Sequence, residues 1–236
     1  MSPTSSIFKH NIYTGVPLHL IDKVALLYAD LPYGTGKRFK DYDDPEAGAL
    51  GVAQAVITAA AMLLQPGGML VLQCDHRINF RVRILLERSS YLSFLNEIVW
   101  TYASGGAGKK KLPQKHDTLF AYYKNDGEYT FNVLREPYPR DYGNRPGFHP
   151  DGRMITSVWN IPILSTTSKE RTGYATEKPP KLLERVIEVF SAPGSLVYDP
   201  CCGSGTTGLA AKSLGRKFAL SDLNPDAIRV SRERMS

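Results

Sequence analysis

The sequence feature that most constrains the fold is a short apolar run followed by a glycine loop and a helix pattern. Residues 196–198 are apolar and lead into Asp199, the loop contains Gly203 and Gly205, and residues 206–214 are compatible with a helix. This order of strand, turn and helix is typical of open α/β sheets. Glycine lets the backbone approach a ligand closely, and the start of a helix offers unpaired N–H groups. The stretch therefore predicts a ligand site at the end of a strand.

Two carboxylates indicate the kind of ligand. Asp222 ends a second apolar run about twenty residues after the loop, where a carboxylate can accept hydrogen bonds from a ribose diol. Asp199 would repel a pyrophosphate but suits a cationic nucleoside such as S-adenosylmethionine. The loop also lacks the third glycine of the dinucleotide fingerprint. The competing interpretation is an ordinary strand-to-helix turn.

Alternating strand and helix patterns extend through the rest of the chain. Strand-like runs cover 24–29, 69–73, 97–102 and 117–123, and helix patterns cover 45–64, 77–88, 181–190 and 225–235. Alternation of this kind predicts parallel strands, whereas two strands joined only by a loop predict an antiparallel pair. We therefore expect an α/β fold with a mostly parallel sheet and one antiparallel hairpin. No linker divides the chain, so a single domain over 1–236 is predicted, with 125–168 as an irregular insertion.

A second candidate site lies at the end of the run 24–29. This run is apolar throughout, as in a strand covered on both faces, and it is followed by Asp30, Leu31, Pro32 and Tyr33. An acid, a proline and an aromatic residue at this point stand at the edge where open α/β sheets bind ligands. The competing interpretation is a proline turn with a capping acid.

Basic residues indicate a polyanionic partner. The formal net charge is +6, which favours binding to polyanions. Lysines concentrate in the loop 103–116, and arginines and tyrosines accumulate in 125–168, where they suit contact with nucleic acid. Solvated surface charge is the competing interpretation of both segments. The candidates for nucleic-acid contact are Lys109, Lys110, Lys111, Lys115, His116, Arg140 and Arg145.

Cysteine usage and hydropathy exclude several classes of protein. The chain has three cysteines, of which Cys201 and Cys202 are adjacent, and no CxxC spacing indicates zinc. We expect a reduced, metal-free protein. No apolar run approaches the roughly twenty residues of a membrane span, and the polar N-terminus lacks a signal-peptide core. A cytoplasmic protein that does not contact a membrane is therefore expected.

Four motifs, in their order along the chain, resemble one enzyme family. They are Asp30-Leu-Pro-Tyr33, Thr176-Glu-Lys-Pro179, the loop that begins at Asp199, and Gly215-Arg-Lys-Phe-Ala-Leu-Ser-Asp222. With the tetrapeptide first and the glycine loop last, the chain resembles the beta class of amino-methylating DNA methyltransferases, which act on N6 of adenine or N4 of cytosine. The resemblance implies a Rossmann-like S-adenosylmethionine-dependent methyltransferase fold with a seven-stranded sheet and a permuted motif order.

The resemblance also implies an activity, which is methyl transfer from S-adenosylmethionine to the exocyclic amino group of adenine in double-stranded DNA. By this resemblance, the catalytic tetrapeptide consists of Asp30, Leu31, Pro32 and Tyr33. Asp30 and the Leu31 carbonyl would accept hydrogen bonds from the amino group of a flipped base. Tyr33 would stack on the base. These acceptors would aim the nitrogen lone pair at the methyl group, so that transfer is direct and in line.

The resemblance assigns the remaining motifs to the cofactor. Lys178 and the glycine loop would hold its methionine end, and Asp222 would bind its ribose. The loop residues concerned are Asp199, Pro200, Cys201, Gly203, Ser204, Gly205 and Thr206. By the same resemblance, a homodimer and a restriction-enzyme partner are expected associations, with an orphan role as the alternative to the latter.

Three positions depart from the family pattern and keep alternatives open. Leu31 stands where the family usually has proline, Cys201 where it has phenylalanine, and Val16 where it has an aspartate near the adenine ring. These departures would also suit a DNA-binding subunit with weak catalysis. Aspartate at position 30 favours adenine over the N4 position of cytosine within the family. Cys201 follows a proline, which leaves attack on carbon-5 of a pyrimidine as a further alternative.

Overall fold

The computed structural model describes residues 5–34, 46–103, 110, 112–140, 146–164 and 177–236. A central sheet of eight strands carries helices on both faces. In the described part of the chain the strands are β1 (Ser6–Lys9), β2 (Val24–Asp30), β3 (Leu64–Asp75), β4 (Leu92–Thr101), β5 (His116–Lys124), β6 (Arg135–Glu136), β7 (Arg153–Met154), β8 (Val158–Asn160), β9 (Leu196–Asp199) and β10 (Lys217–Asp222). The α-helices are α1 (Glu46–Leu63), α2 (Asn79–Glu87), α3 (Pro180–Phe190), α4 (Thr206–Ser213) and α5 (Pro225–Met235).

The alternating pattern produces a parallel half-sheet, as predicted. Strands β1, β10, β9, β2 and β3 lie side by side in this order and pair in parallel. The chain passes from β2 outward to β3 and later returns to the opposite side of β2 with β9. The carboxyl ends of β2 and β9 therefore meet where the strand order changes direction. Open α/β sheets form their ligand crevice at such a point.

The predicted antiparallel hairpin is confirmed, and it carries an additional strand. β5 pairs antiparallel with both β3 and β4, and β8 adds to β4 in parallel. The sheet therefore has eight strands instead of the expected seven. β8 has three residues and is too short to give a periodic sequence pattern. Its position is fixed by buried Trp100, whose Nε1 donates a hydrogen bond to the Ile161 carbonyl at 2.7 Å. Both β8 and the β6–β7 pair come from the segment 125–168.

Two apolar layers form the core, one on each face of the sheet. On one face α1 and α2 pack over β2 and β3. On the other face α3 and α4 pack, and α3 directs the predicted apolar stripe inward, with Leu182, Leu183, Val186, Ile187 and Phe190 buried. The alternating strand side chains contribute to both layers, which leaves the strand ends as the accessible edge of the sheet.

Helix α1 is an exception to the expectation that no apolar run approaches the length of a membrane span. By length and composition alone its 18 residues are apolar enough to cross a membrane. Its inward face, which includes Ala53, Val56 and Ala60, is buried in the core of the sheet. A core helix passes the same test of length and composition, so α1 is weak evidence for a membrane segment.

Candidate active site

Asp30 stands at the crevice because it is the last residue of β2. The strand is buried along its length, and its final pair joins Asp30 to Gln73 of β3. The Leu31 N–H continues this pairing and donates a hydrogen bond to the Gln73 carbonyl at 2.9 Å. Leu31 is buried, whereas Pro32 and Tyr33 are half-buried. The sheet thus fixes Asp30 and Leu31, and Pro32 and Tyr33 extend into the crevice.

Lys178 connects two motifs that are far apart in the sequence. Its ammonium forms an ion pair with Oδ2 of Asp30, and its Nζ lies 4.9 Å from the centre of the Tyr33 ring. Within the described chain, no hydrogen-bond partner reaches the other carboxylate oxygen, Oδ1 of Asp30, although that atom is buried. Burial raises the pKa of Asp30 to about 6 against the lowering effect of Lys178, and the charge of Asp117 adds to the increase.

Asp117 is a site residue that the sequence analysis did not select. It is buried at the start of β5, and its carboxylate accepts hydrogen bonds from Gln73 Nε2 at 3.0 Å and Tyr102 Oη at 3.0 Å. The Tyr33 hydroxyl lies 3.4 Å from Oδ2 of the same carboxylate. Gln73 in turn accepts a hydrogen bond from Tyr28 at 2.7 Å. A buried polar network therefore holds the Tyr33 ring from its hydroxyl end.

The feature that could have identified Asp117 from the sequence is the direction of its strand. A strand that runs antiparallel to its neighbours begins at the edge where those neighbours end, and Asp117 pairs in register with Asp75 at the end of β3. A polar residue at the start of an antiparallel strand therefore reaches the same crevice as Asp30.

The glycine loop (residues 199–206) is shaped by Asp199 at its start. The buried Asp199 carboxylate accepts hydrogen bonds from the Cys201 N–H at 2.9 Å and from the Thr207 hydroxyl at 2.5 Å, which closes the loop onto α4. Gly205 has φ of +79°, a conformation that favours glycine. A Cβ on Gly205 would lie 2.7 Å from Oγ of Ser231, so the loop also approaches α5 closely.

The remaining predicted loop residues lie between the end of β9 at Asp199 and the start of α4 at Thr206. Ser204 and Thr206 are buried, with their hydroxyl oxygens 3.3 Å apart. Pro200 is buried, and Gly203 has φ of +50°. The loop is thus packed into the fold along most of its length, which preorganises its backbone.

Asp222 is held at the same edge by the backbone. Its Oδ2 accepts a hydrogen bond from the Gly203 N–H at 3.0 Å and its Oδ1 one from the Asn224 N–H at 2.8 Å. Burial raises the pKa of Asp222. Burial likewise raises the pKa of Asp199 to about 7, and the charges of Asp30 and Asp222 add to this effect. The structure therefore brings the carboxylates of both predicted sites into mutual electrostatic contact.

Cys201 is poorly suited to nucleophilic attack. Burial and the charges of Asp199 and Asp222 raise the pKa of its thiol well above the ordinary value. A thiolate is the reactive form of cysteine, and this environment disfavours it. Cys201 also lies in the glycine loop beside the carboxylates. The alternative of a cysteine that attacks carbon-5 is therefore opposed by the electrostatics of the site.

The predicted nucleic-acid contacts are only partly placed by the structure. Lys109, Lys111 and Arg145 lie outside the described residues. Lys110 and Arg140 are exposed, whereas Lys115 and His116 are half-buried and immediately precede Asp117. The Lys115 carbonyl accepts a hydrogen bond from the Tyr102 N–H at 3.0 Å. Among the described members of this group, Lys115 and His116 lie at the edge of the crevice.

Comparison with known proteins identifies the family. A family model described as DNA methylase matches residues 24–233, and the chain belongs to this DNA methylase family. Type II methyltransferase M.HpaI from Haemophilus parainfluenzae is 27% identical over 220 residues, which cover 91% of this chain and 68% of that protein. DNA adenine methyltransferase YhdJ from Escherichia coli (strain K12) is 28% identical over 228 residues, which cover 91% of this chain and 76% of that protein.

Solved structures confirm the methyltransferase fold. The PvuII DNA methyltransferase (cytosine-N4-specific) superposes with a TM-score of 0.68 and 18% identity, covering 92% of this chain and 80% of that chain. The M1.HpyAVI–SAM complex superposes with a TM-score of 0.65 and 22% identity, covering 91% and 89% respectively. At these identities the likenesses establish the fold alone.

Proposed function

We propose that this DNA methylase transfers a methyl group from S-adenosylmethionine to the exocyclic amino group of adenine in double-stranded DNA. The observation that carries the proposal is Oδ1 of Asp30, a buried oxygen without a hydrogen-bond partner among the described residues. A buried acceptor without a donor is costly, and an amino group of a flipped base would supply the donor. Tyr33, beside it, offers a ring on which that base would stack.

The charges at the glycine loop fit a cationic cofactor. The carboxylates of Asp30, Asp199 and Asp222 place negative charge at this edge of the sheet, and the charges of Asp30 and Asp222 add to the raised pKa of Asp199. A sulfonium and an ammonium group would balance that charge, whereas a pyrophosphate would not. S-adenosylmethionine bound here would supply an electrophilic methyl group. By the motif resemblance, Asp222 would hold its ribose, and Lys178 and the glycine loop its methionine end.

The chain's own residues then perform positioning and charge stabilisation. Oδ1 of Asp30 accepts a hydrogen bond from the amino group of the base, while Lys178 occupies Oδ2. Positive charge that develops on the amino nitrogen during transfer is stabilised by the ionised carboxylate. The polar network around Asp117 fixes the Tyr33 ring, and thus the plane of the base. Base extrusion costs a few kcal/mol, which stacking on Tyr33 partly offsets.

Adenine is proposed as the target for two reasons. Aspartate at position 30 favours adenine within the family that the motifs resemble, and the relative YhdJ carries the name of an adenine methyltransferase. We further propose a cytoplasmic enzyme that acts in a restriction–modification pair, as the name of the type II relative M.HpaI suggests, or as an orphan. A homodimer is proposed from the family resemblance.

The proposal is tested with Asp30→Asn. Label transfer from methyl-tritiated S-adenosylmethionine to unmethylated genomic DNA should fall by at least about a hundredfold, because the variant lacks the charge that stabilises the transition state. Asp22→Asn is the matched control. It changes an exposed aspartate just before the opposite end of β2, where the ion pair with Lys124 contributes little. Turnover by Asp30→Asn equal to that of the control would refute the catalytic assignment.

A further inference from the structure

Helix α5 has no part in the reaction proposed above, yet one of its faces contacts the glycine loop. Ser231 and Arg234 are three residues apart and so lie on the same side of the helix. Ser231 donates a hydrogen bond to the Gly203 carbonyl at 3.0 Å. The same hydroxyl is the atom that a Cβ on Gly205 would meet. This face of α5 therefore packs against the glycine loop.

Arg234 connects the glycine loop to a second motif. Its Nη1 lies 2.9 Å from the Ser204 carbonyl, 3.1 Å from Oγ of Ser204 and 3.2 Å from Oγ1 of Thr206. The same atom forms an ion pair at 2.8 Å with Oε1 of Glu177, whose side chain has no exposed surface. Glu177 immediately precedes Lys178, the residue paired with Asp30.

We infer that Arg234 is a positioning residue for cofactor binding, which holds the segment at Glu177 against the start of α4. A fully buried carboxylate requires a cationic partner, and Arg234 is such a partner for Glu177. One guanidinium nitrogen, Nη1, lies within 3.2 Å of that carboxylate and of the Ser204 and Thr206 oxygens, so Arg234 joins the two segments at one point. The inference rests on the proposed site, in which this loop holds the methionine end of S-adenosylmethionine.

The test measures binding by calorimetry with two probes, S-adenosylmethionine and 5′-methylthioadenosine, which lacks the amino-acid end. Arg234→Met should weaken binding of S-adenosylmethionine by about tenfold or more, which corresponds to the loss of one charge-assisted contact. Arg234→Lys should lose less affinity. Binding of 5′-methylthioadenosine should change less than twofold. Arg229→Met, on the exposed side of α5, is the matched control and should bind both probes as the wild type does.

A second variant distinguishes a positioning role of Arg234 from a contribution to the stability of the fold alone. Arg234→Met removes a cationic partner from the buried Glu177 carboxylate and should lower the melting temperature. Adding Glu177→Gln removes that charge and should restore much of the stability, while the affinity for S-adenosylmethionine stays low. If affinity returns together with stability, Arg234 is only structural and the inference is wrong.

Asp222→Asn distinguishes this inference from the proposed function. It should weaken binding of both probes, because both contain the ribose. If Asp222→Asn weakens binding of S-adenosylmethionine but Arg234→Met does not, the role of Arg234 is wrong and the proposed site remains intact. Unchanged binding by Asp222→Asn would refute the site itself, and the inference with it.

Discussion

At the scale of single residues, Asp30 combines two opposing influences. Burial raises its pKa to about 6, although Lys178 forms an ion pair with it. Oδ1 of Asp30 has no hydrogen-bond partner among the described residues, so the carboxylate retains capacity for a further donor. This is the electrostatic condition expected of a group that must accept a hydrogen bond from a substrate amino group.

A pH dependence follows from the same residue. An ionised carboxylate is the better acceptor, and the ionised form of Asp30 predominates above its pKa. We therefore expect kcat/KM to fall as the pH is lowered through about 6, because the folded-state pKa is raised to that value. Initial rates between pH 5 and 8, with the melting temperature followed in parallel, measure this. A flat profile with an intact protein would contradict the role of Asp30.

At the scale of elements, the strand ends could be predicted but their neighbours could not. The buried run before Asp30 and the glycine loop after Asp199 each identify the end of a parallel strand. That β9 lies next to β2 depends on sheet order, which no local pattern encodes. Asp117 was missed because its role follows from strand direction. Arg234 was missed because charged residues on a short helix are typical of an exposed surface.

The approach of α5 to the glycine loop predicts different effects at two glycines. Gly205 and Gly215 both have positive φ, but a Cβ on Gly205 would meet Ser231, whereas Gly215 faces open space. Gly215→Ala should cost backbone strain alone, about 1–3 kcal/mol of unfolding free energy. Gly205→Ala should cost more and also weaken binding of S-adenosylmethionine. Urea unfolding and calorimetry measure these effects, and equal behaviour of the two variants would contradict the close packing.

At the scale of the whole molecule, the net positive charge contrasts with the carboxylates of the crevice. The chain carries a formal net charge of +6, although the crevice itself gathers carboxylates. Contact with DNA phosphates must therefore come from residues around the crevice. Lys110 is exposed, and Lys115 lies at the edge of the crevice.

Replacing Lys109, Lys110 and Lys111 with alanine should reduce the salt dependence of DNA binding. Each phosphate contact that is lost should lower the slope of log K against log salt by about 0.9. Fluorescence anisotropy with duplex DNA between low and moderate salt measures the slope. Lys217→Ala at the start of β10, which removes a single positive charge, is the control. An unchanged slope would mean that the three lysines are solvated and do not contact DNA.

The most direct measurement is the identity of the methylated nucleoside. DNA labelled by the enzyme from S-adenosylmethionine is digested to nucleosides and analysed by chromatography with mass spectrometry. The proposed adenine specificity, which rests on the aspartate at position 30 and on the name of the relative YhdJ, predicts label in N6-methyladenine. Label in N4-methylcytosine would contradict the proposed base while retaining amino methylation, and label in 5-methylcytosine, or none in DNA, would contradict the mechanism.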